Sequence, residues 1–248
     1  PGLAADRATR HDSPMRLPDA IELADPPVRV RLNASPRARR FTLRLAAPGE
    51  GAVLTLPPQV AERDARAFLL AHRGWLARAL SRQAAAVTVG DGAALPVDGE
   101  PMRIRLLPGG PQLPALADGE IRLSAGRPAG PRVSAWLKMR LRDRVAPIAH
   151  DAAGTLGKRI AALSFRDTRS RWGSCSSAGR ISLSWRLAMA PREVQDYVAL
   201  HEVAHLAEMN HSARFWAVMA RLMPDYETHR AWLREQGRSL HAYRFGDG

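Results

Sequence analysis

The stretch His201-Glu202-Val203-Ala204-His205, followed six residues later by His211, is the most informative pattern in this chain. On a helix, residues four apart lie on one face about one turn apart, so His201 and His205 can bind a single ion. Three protein ligands and one water are typical of a catalytic zinc site, whereas structural sites use four protein ligands. The pattern therefore predicts one zinc ion per chain, with Glu202 as the base that deprotonates the zinc-activated water.

The third ligand is a choice between Glu208 and His211. Glu208 continues the helical stripe, but it lies about 10 Å of helix rise beyond His201, too far for bonds of about 2 Å to converge. Asn210 tolerates left-handed backbone angles and can end the helix, which would bring His211 back to the metal. Ser212 then suits the N-cap of a helix over 213–222. We therefore predict His211 as the third ligand and Glu208 as a group that orients one of the histidines.

Three blocks of sequence surround this motif in order. The first is Arg169-Ser170-Arg171-Trp172-Gly173-Ser174-Cys175-Ser176, the second runs over 181–198 into the metal helix, and the third over 208–233. Together they resemble the YgjP-like metallopeptidase domain family, relatives of the SprT-type zinc proteases, although Ser170 stands where that family has threonine. The resemblance implies zinc bound by the three histidines, Glu202 as the base, and a protein or peptide as the substrate.

Short strands are predicted ahead of the metal helix, at 163–167, 171–174 and 180–187. In metal-helix proteases an edge strand beside the site can bind an extended peptide through backbone hydrogen bonds. The segment Trp172-Gly173-Ser174 is the predicted platform, because Gly173 lets another backbone approach closely; the alternative is that Gly173 marks a bulge or tight turn. Arg171 either stabilises charge at the site or forms a structural ion pair.

Charge and cysteine content restrict the class of protein. The chain has 248 residues, with 37 basic and 24 acidic side chains and a net charge of +13. This excess is compatible with nucleic acid as a partner, but it is scattered, with one local concentration at Arg37, Arg39 and Arg40. A single cysteine excludes an internal disulfide and fits a cytoplasmic protein. No apolar run approaches about 18 residues, so no membrane partner is expected.

Periodicity predicts an α+β fold with an N-terminal β-rich module. The resemblance implies that the catalytic domain is zincin-like, built from a small β-sheet and the HExxH helix. The module has strands at 28–32, 41–45 and 52–56, one helix over 61–86, and a hairpin of 102–106 with 120–123. A helix over 132–156 follows, which Pro147 should kink or split. No internal repeat is visible. The predicted divisions are a flexible segment 1–27, the module 28–128, the metallopeptidase domain 129–237 and a tail 238–248.

Three functions fit these observations. The first is a zinc-dependent metallopeptidase that hydrolyses peptide bonds. The second is a metal-dependent hydrolase of a nucleotide or another phosphorylated small molecule, in which arginines hold the phosphates. The third is a nucleic-acid-associated module that retains a structural metal or acts on DNA-bound protein, the latter by analogy with SprT-type proteases.

Overall fold

The computed structural model describes residues 17–46, 48–81 and 85–246, and the chain divides into two compact units, Pro1–Ala84 and Ala85–Gly248. It confirms the predicted mixture of helices and small sheets. The flexible segment expected at 1–27 lies outside the described residues up to position 16. The rest of it is not flexible chain, since strand β1 (Ala20–Ala24) pairs with strand β2 (Pro27–Ala34).

The first unit is a four-stranded sheet covered by two helices. Strands β3 (Thr42–Leu45) and β4 (Ala52–Leu56) complete the order β1-β2-β4-β3, in which only β2 and β4 are parallel. Val28 and Val30 alternate with exposed arginines and pack beneath helices α1 (Glu62–Ala71) and α2 (Arg73–Ser81). The single helix predicted over 61–86 is wrong because the chain leaves helical geometry at His72, just before Gly74, a poor helix former.

The second unit begins with the short strand β5 (Val87–Thr88) and a sheet that repeats this topology. Strands β6 (Ala94–Val97), β7 (Glu100–Leu107), β8 (Ala115–Ala117) and β9 (Glu120–Ser124) have the order β6-β7-β9-β8. Because β7 and β9 are parallel, the predicted hairpin is wrong. The expectation of no internal repeat is also wrong at the level of topology. The matching sequence, Val28–Leu32 and Met102–Leu106, is too short to have indicated it.

This sheet belongs to the same core as the metal-binding segment. Leu95, Ile104 and Ile121 are buried in one cluster with residues of helix α3 (Ala129–Thr155) and of the chain around 187–204. The predicted boundary at 128/129 therefore cuts through a continuous core, and the division falls at Ala84. Alternating strands alone could not reveal which helix covers them.

Helix α3 runs unbroken through Pro147, so the expected split does not occur. The buried residues Leu141, Val145 and Ala149 lie on both sides of the proline and hold the two halves in one core. In the described part of the chain, no helix combines the length and the hydropathy needed to cross a bilayer.

The metal-binding segment is a three-stranded sheet followed by three helices. Strands β10 (Ala162–Arg166), β11 (Gly173–Cys175) and β12 (Arg180–Ser184) have the order β10-β12-β11, close to the predicted ranges. A 3-10 turn (Trp185–Met189) leads to helices α4 (Arg192–Ala204), α5 (Ala213–Leu222) and α6 (Tyr226–Gln236).

The C-terminal residues up to 246 are part of the fold, so the predicted tail 238–248 is wrong. A 3-10 turn (Gly237–His241) precedes strand β13 (Tyr243–Arg244), which pairs in parallel with β5. Leu240 and Phe245 are buried in the core. Arg186, only 5% exposed, donates to Asp167 and to the carbonyls of Leu240 and Tyr243, and so fixes this segment. The four apolar residues among these eleven, Leu240, Ala242, Tyr243 and Phe245, follow no regular helical or strand period that would have predicted this placement.

The turn between β6 and β7 holds the start of the metal helix. Asp98 has a φ of 53°, and its carboxylate accepts hydrogen bonds from Arg140 of α3 and from Arg192 and Gln195 of α4. Gly99 packs directly against Pro191, the residue that precedes α4. Burial alone would raise the pKa of Asp98, but the three donors outweigh it and hold this pKa below its ordinary 3.8. The turn therefore connects both helices through one ionised group.

Asp98→Asn is expected to lower the free energy of unfolding by about 2 kcal/mol, because charge-assisted hydrogen bonds are replaced by weaker ones. Since the pKa of Asp98 is lowered in the folded state, this stabilisation is complete above pH 3.8 and disappears as the pH falls through the folded-state value. Urea unfolding followed by circular dichroism at several pH values measures the difference.

Asp118→Asn is the matched control, since Asp118 also has a positive φ before a glycine but its side chain is 83% exposed. This variant should differ from wild type by less than about 0.5 kcal/mol. Equal effects at both positions would contradict the anchoring role of Asp98.

Candidate metal centre

Three histidines from the HExxH motif and the following loop meet at one point. His201 is in the last turn of α4, His205 directly follows its end, and His211 precedes α5. Nε2 of His201 and Nε2 of His211 are 3.0 Å apart, and one ring nitrogen from each of the three residues lies within 4.8 Å of the others. The fold therefore brings together the three histidines that were predicted from their sequence spacing.

The chain reaches His211 by a different route from the predicted one. Helix α4 ends at Ala204, and a turn over 205–208 carries the chain away, with the amide of Glu208 donating to the carbonyl of Ala204. Asn210 is not among the non-glycine residues with positive φ, so the expected left-handed helix end at Asn210 is wrong. Its side chain instead accepts a hydrogen bond from the amide of Ser212. Ser212 occupies the N-cap position of α5 as predicted, but its hydroxyl makes no capping hydrogen bond.

Neighbouring groups orient the histidines. Nδ1 of His205 lies 3.0 Å from the carbonyl oxygen of Glu208, so Nδ1 carries the proton and Nε2 is left with a free lone pair. Glu208 therefore contacts a histidine, as the prediction required, but through its backbone and not its carboxylate. Phe215, fully buried, lies 4.6–4.9 Å from all three imidazoles between ring centroids. Phe215 was not predicted as a site residue; its position four residues after His211 was the available signal.

The environment lowers the pKa of two of these imidazoles, those of His201 and His211. Burial, followed by the nearby His205, His211 and Arg230, lowers the pKa of His201 to about 3. Burial and the same kind of neighbours also lower the pKa of His211. Arg230 was not predicted as a site residue; its guanidinium lies 4.6 Å from the ring centroid of Trp216, beside His211. Neutral imidazole is the form that binds a metal, because its second nitrogen keeps a lone pair.

Glu202 lies against Gly173 of strand β11. A Cβ atom added at Gly173 would be 2.6 Å from Cγ and 2.7 Å from Cδ of Glu202, closer than any real contact. Gly173 is therefore required by the glutamate, which neither of the sequence interpretations of this glycine included. Glu202 is 5% exposed, and this burial raises its pKa to about 7 against the opposing charge of Arg171.

The other predicted site residues have separate environments. Arg171 is exposed and close enough to act on the charge of Glu202. Trp172 stacks on His241, with ring centroids 4.8 Å apart, and packs against Gly237, so it contacts the C-terminal turn. Cys175 is half-buried, and burial together with the charge of Glu202 raises its thiol pKa to about 11. The thiol is therefore protonated at neutral pH.

Strand β11 is an edge strand beside the histidines. It is antiparallel to β12, with the pairs Gly173–Leu183, Ser174–Ser182 and Cys175–Ile181. The amide of Ser184 donates to the carbonyl of Trp172, and the amide of Ser176 donates to the carbonyl of Arg180. Backbone groups alternate in such a ladder, so those of Gly173 and Cys175 point away from β12. The outer edge of β11 thus offers backbone donors and acceptors next to Glu202.

The donor set fits zinc. Two nitrogens bonded to one zinc ion at about 2.0–2.1 Å are at most about 4.2 Å apart. The three ring nitrogens are near this spacing, and small side-chain rotations bring them to one ion. Among the described residues the group consists of three imidazoles and no fourth protein ligand, which leaves one coordination position for water, the arrangement found in catalytic sites.

Comparison with known proteins gives two matches. A family model described as YgjP-like, metallopeptidase domain, matches residues 39–236. Among solved structures, the chain is similar to the crystal structure of the metallopeptidase zymogen of Pyrococcus abyssi abylysin. The sequence identity is 22%, the match covers 38% of this chain and 96% of that chain, and the TM-score is 0.34. No curated protein matches the sequence.

Proposed function

Since the chain belongs to the YgjP-like metallopeptidase domain family, we propose that it is a zinc-dependent metallopeptidase with His201, His205 and His211 as ligands and Glu202 as the general base. The observation that carries this proposal is the meeting of three imidazoles with a buried glutamate beside an edge strand. When bound, zinc would supply an acidified water and polarise the substrate carbonyl.

Glu202 is the residue that moves the proton. Its pKa of about 7 in the protein alone lies near the working pH, where a carboxylate both accepts and returns a proton efficiently. A cation held by the imidazoles would lower this pKa and favour the ionised base. The carboxyl of Glu202, held by Gly173, would then give its proton to the leaving amine.

Strand β11 is the proposed substrate platform. An extended peptide can pair with the backbone groups of Gly173 and Cys175 that point away from β12, which would align its scissile bond along the sheet edge. Recognition through the backbone suits a protein or peptide substrate. The nucleotide alternative has less support, because phosphate transfer often uses two metal ions with additional carboxylate ligands, and the described residues bring together one candidate metal group made of three histidines.

Metal content and turnover test the proposal together. We expect one zinc per chain by mass spectrometry in wild type and casein cleavage by the same sample. Loss of an outer-shell partner typically weakens metal binding by about 10- to 100-fold. His211→Ala removes a direct ligand, so we expect it to weaken zinc binding by more than this. His150→Ala, which replaces an exposed histidine on α3, should keep both zinc and activity.

Two results would contradict the proposal. Full zinc retention in His211→Ala would exclude His211 as the third ligand. Nucleotide turnover without casein cleavage would keep the metal centre and replace the peptidase with the hydrolase of a phosphorylated small molecule.

A further inference from the structure

The first unit has a cleft at one edge of its sheet, bordered by strand β3 on one side and by helices α1 and α2 on the other. Its volume is about 330 Å³, and its lining includes Arg40, Phe41, Phe68, His72 and Trp75. His72, the residue between the end of α1 at Ala71 and the start of α2 at Arg73, lines the cleft. All of the residues that line the cleft belong to the first unit.

Aromatic rings form a connected row in this cleft. Phe41 meets Phe68 edge to face, with centroids 4.9 Å apart, and Phe68 stacks on His72 at 4.0 Å. Trp75 keeps 41% of its surface exposed, although burial of an indole is favourable. The exposed rings of His72 and Trp75 therefore offer flat surfaces to another planar group.

Arginines without carboxylate partners lie in the chain segment that reaches the cleft: Arg40 lines it, and Arg37 and Arg39 precede Arg40 in the same loop. Arg37, Arg39 and Arg40 are exposed in the loop between β2 and β3. No carboxylate among residues 17–46, 48–81 and 85–246 is within ion-pair distance of these three guanidinium groups. Three other arginines of this unit are paired, Arg29 with Glu22, Arg63 with Asp64, and Arg66 with Glu62, so what distinguishes the loop is that three unpaired arginines lie within four residues. The loop is therefore a local concentration of uncompensated positive charge.

We propose that this cleft binds single-stranded nucleic acid, with a base stacked on the aromatic row and the phosphates contacted by Arg37, Arg39 and Arg40. Stacking platforms combined with a basic rim are how proteins bind single strands without reading sequence. The net charge of +13 favours a polyanion in general. An acidic peptide would satisfy the arginines but not the aromatic row, and a duplex would hide its base faces.

The cleft size agrees with this ligand. At about 330 Å³ it is at the lower end of the range of about 300–1,000 Å³ that small-molecule sites occupy. It therefore accommodates a base or a short part of one strand, with the rest of the strand following the exposed arginines.

Fluorescence anisotropy of the full-length protein tests this proposal. The probes are a labelled oligothymidylate of about 15 nucleotides, its duplex with oligoadenylate, and an oligoglutamate of equal charge. We expect the single strand to bind most tightly. Trp75→Ala should weaken its binding by about tenfold, through loss of one stacking surface, and Trp75→Phe should restore most of the affinity. Circular dichroism and zinc content establish that each variant remains folded.

A charge-matched pair of triple variants separates the cleft from general electrostatics. Replacing Arg37, Arg39 and Arg40 by glutamine should reduce the slope of log affinity against log salt by about 2, measured between about 50 and 200 mM salt. Replacing the paired Arg29, Arg63 and Arg66 removes the same net charge and should change the slope much less.

The outcomes decide the proposal in either direction. Equal losses in the two triple variants, or an unchanged affinity in Trp75→Ala, would reduce the interaction to non-specific charge and overturn it. Tighter binding of oligoglutamate, lost in the cleft variants, would assign the cleft to an acidic protein segment instead. Because the metal centre is in the other unit, failure here leaves the proposed peptidase function untouched.

Discussion

Glu202→Gln is expected to lower kcat/KM for peptide hydrolysis by about 10²–10⁴-fold, the contribution of a positioned general base. Glutamine has the shape of glutamate and fits beside Gly173, but its amide cannot accept the proton that hydrolysis releases. Zinc content should be unchanged, because the three imidazoles remain in place. A fluorogenic peptide and metal analysis on one preparation measure both quantities.

Glu193→Gln is the matched control on the same helix. Glu193 is exposed in the first turn of α4, whereas His201 is in the last turn. The activity of Glu193→Gln should therefore stay within about twofold of wild type. Similar losses in the two variants would mean that any charge removed from α4 disturbs the site. Full activity of Glu202→Gln would assign the base to another group.

The histidines could be predicted from sequence because local geometry determines them. Two ligands four residues apart need only a helix, and the helix over 213–222 with Ser212 at its N-cap was recognised from residue types alone. The position of His211 followed from distance limits even though the predicted helix end was wrong. Its route depends on a turn after Ala204 that carries no glycine and no residue with positive φ.

Pairing between distant strands could not be predicted in this way. The strand Met102–Leu106 alternates correctly whether it pairs in parallel or antiparallel, so its partner is chosen by burial against α3 and not by its own sequence. The placement of the C-terminal segment could not be predicted either. It depends on the hydrogen bond from Arg186 to Leu240 and on the burial of Leu240 and Phe245 in a core formed by distant residues. Long-range packing decides both cases.

The role of Gly173 was missed for the same reason. A glycine in a strand indicates a bulge or the close approach of another backbone, and sequence does not show that a glutamate side chain occupies the space. The structure therefore changes the expected result of a substitution at this position. If the glycine makes room for the substrate backbone, its substitution should raise KM. If it makes room for the general base, its substitution should lower kcat.

Gly173→Ala is expected to lower kcat by about a hundredfold with little change in KM, because a displacement of about 1 Å of a catalytic group has this effect. The new methyl group would lie 2.6 Å from Cγ of Glu202, so the carboxylate must leave its position. Overpacking should also destabilise the fold by about 1–3 kcal/mol, while zinc binding persists since no ligand touches Gly173. Steady-state kinetics and urea unfolding measure these effects.

Gly154→Ala and a double-mutant cycle identify the cause of the loss. Gly154 is in α3 with no atom within 4 Å of an added Cβ, so this control should keep full activity and stability. If the methyl group acts through Glu202, Gly173→Ala should destabilise a Glu202→Ala background much less than wild type, because the clash is gone. An undiminished destabilisation in that background would place the clash on another group. A raised KM with normal kcat would instead mean that Gly173 admits the substrate strand and that Glu202 tolerates the extra methyl group.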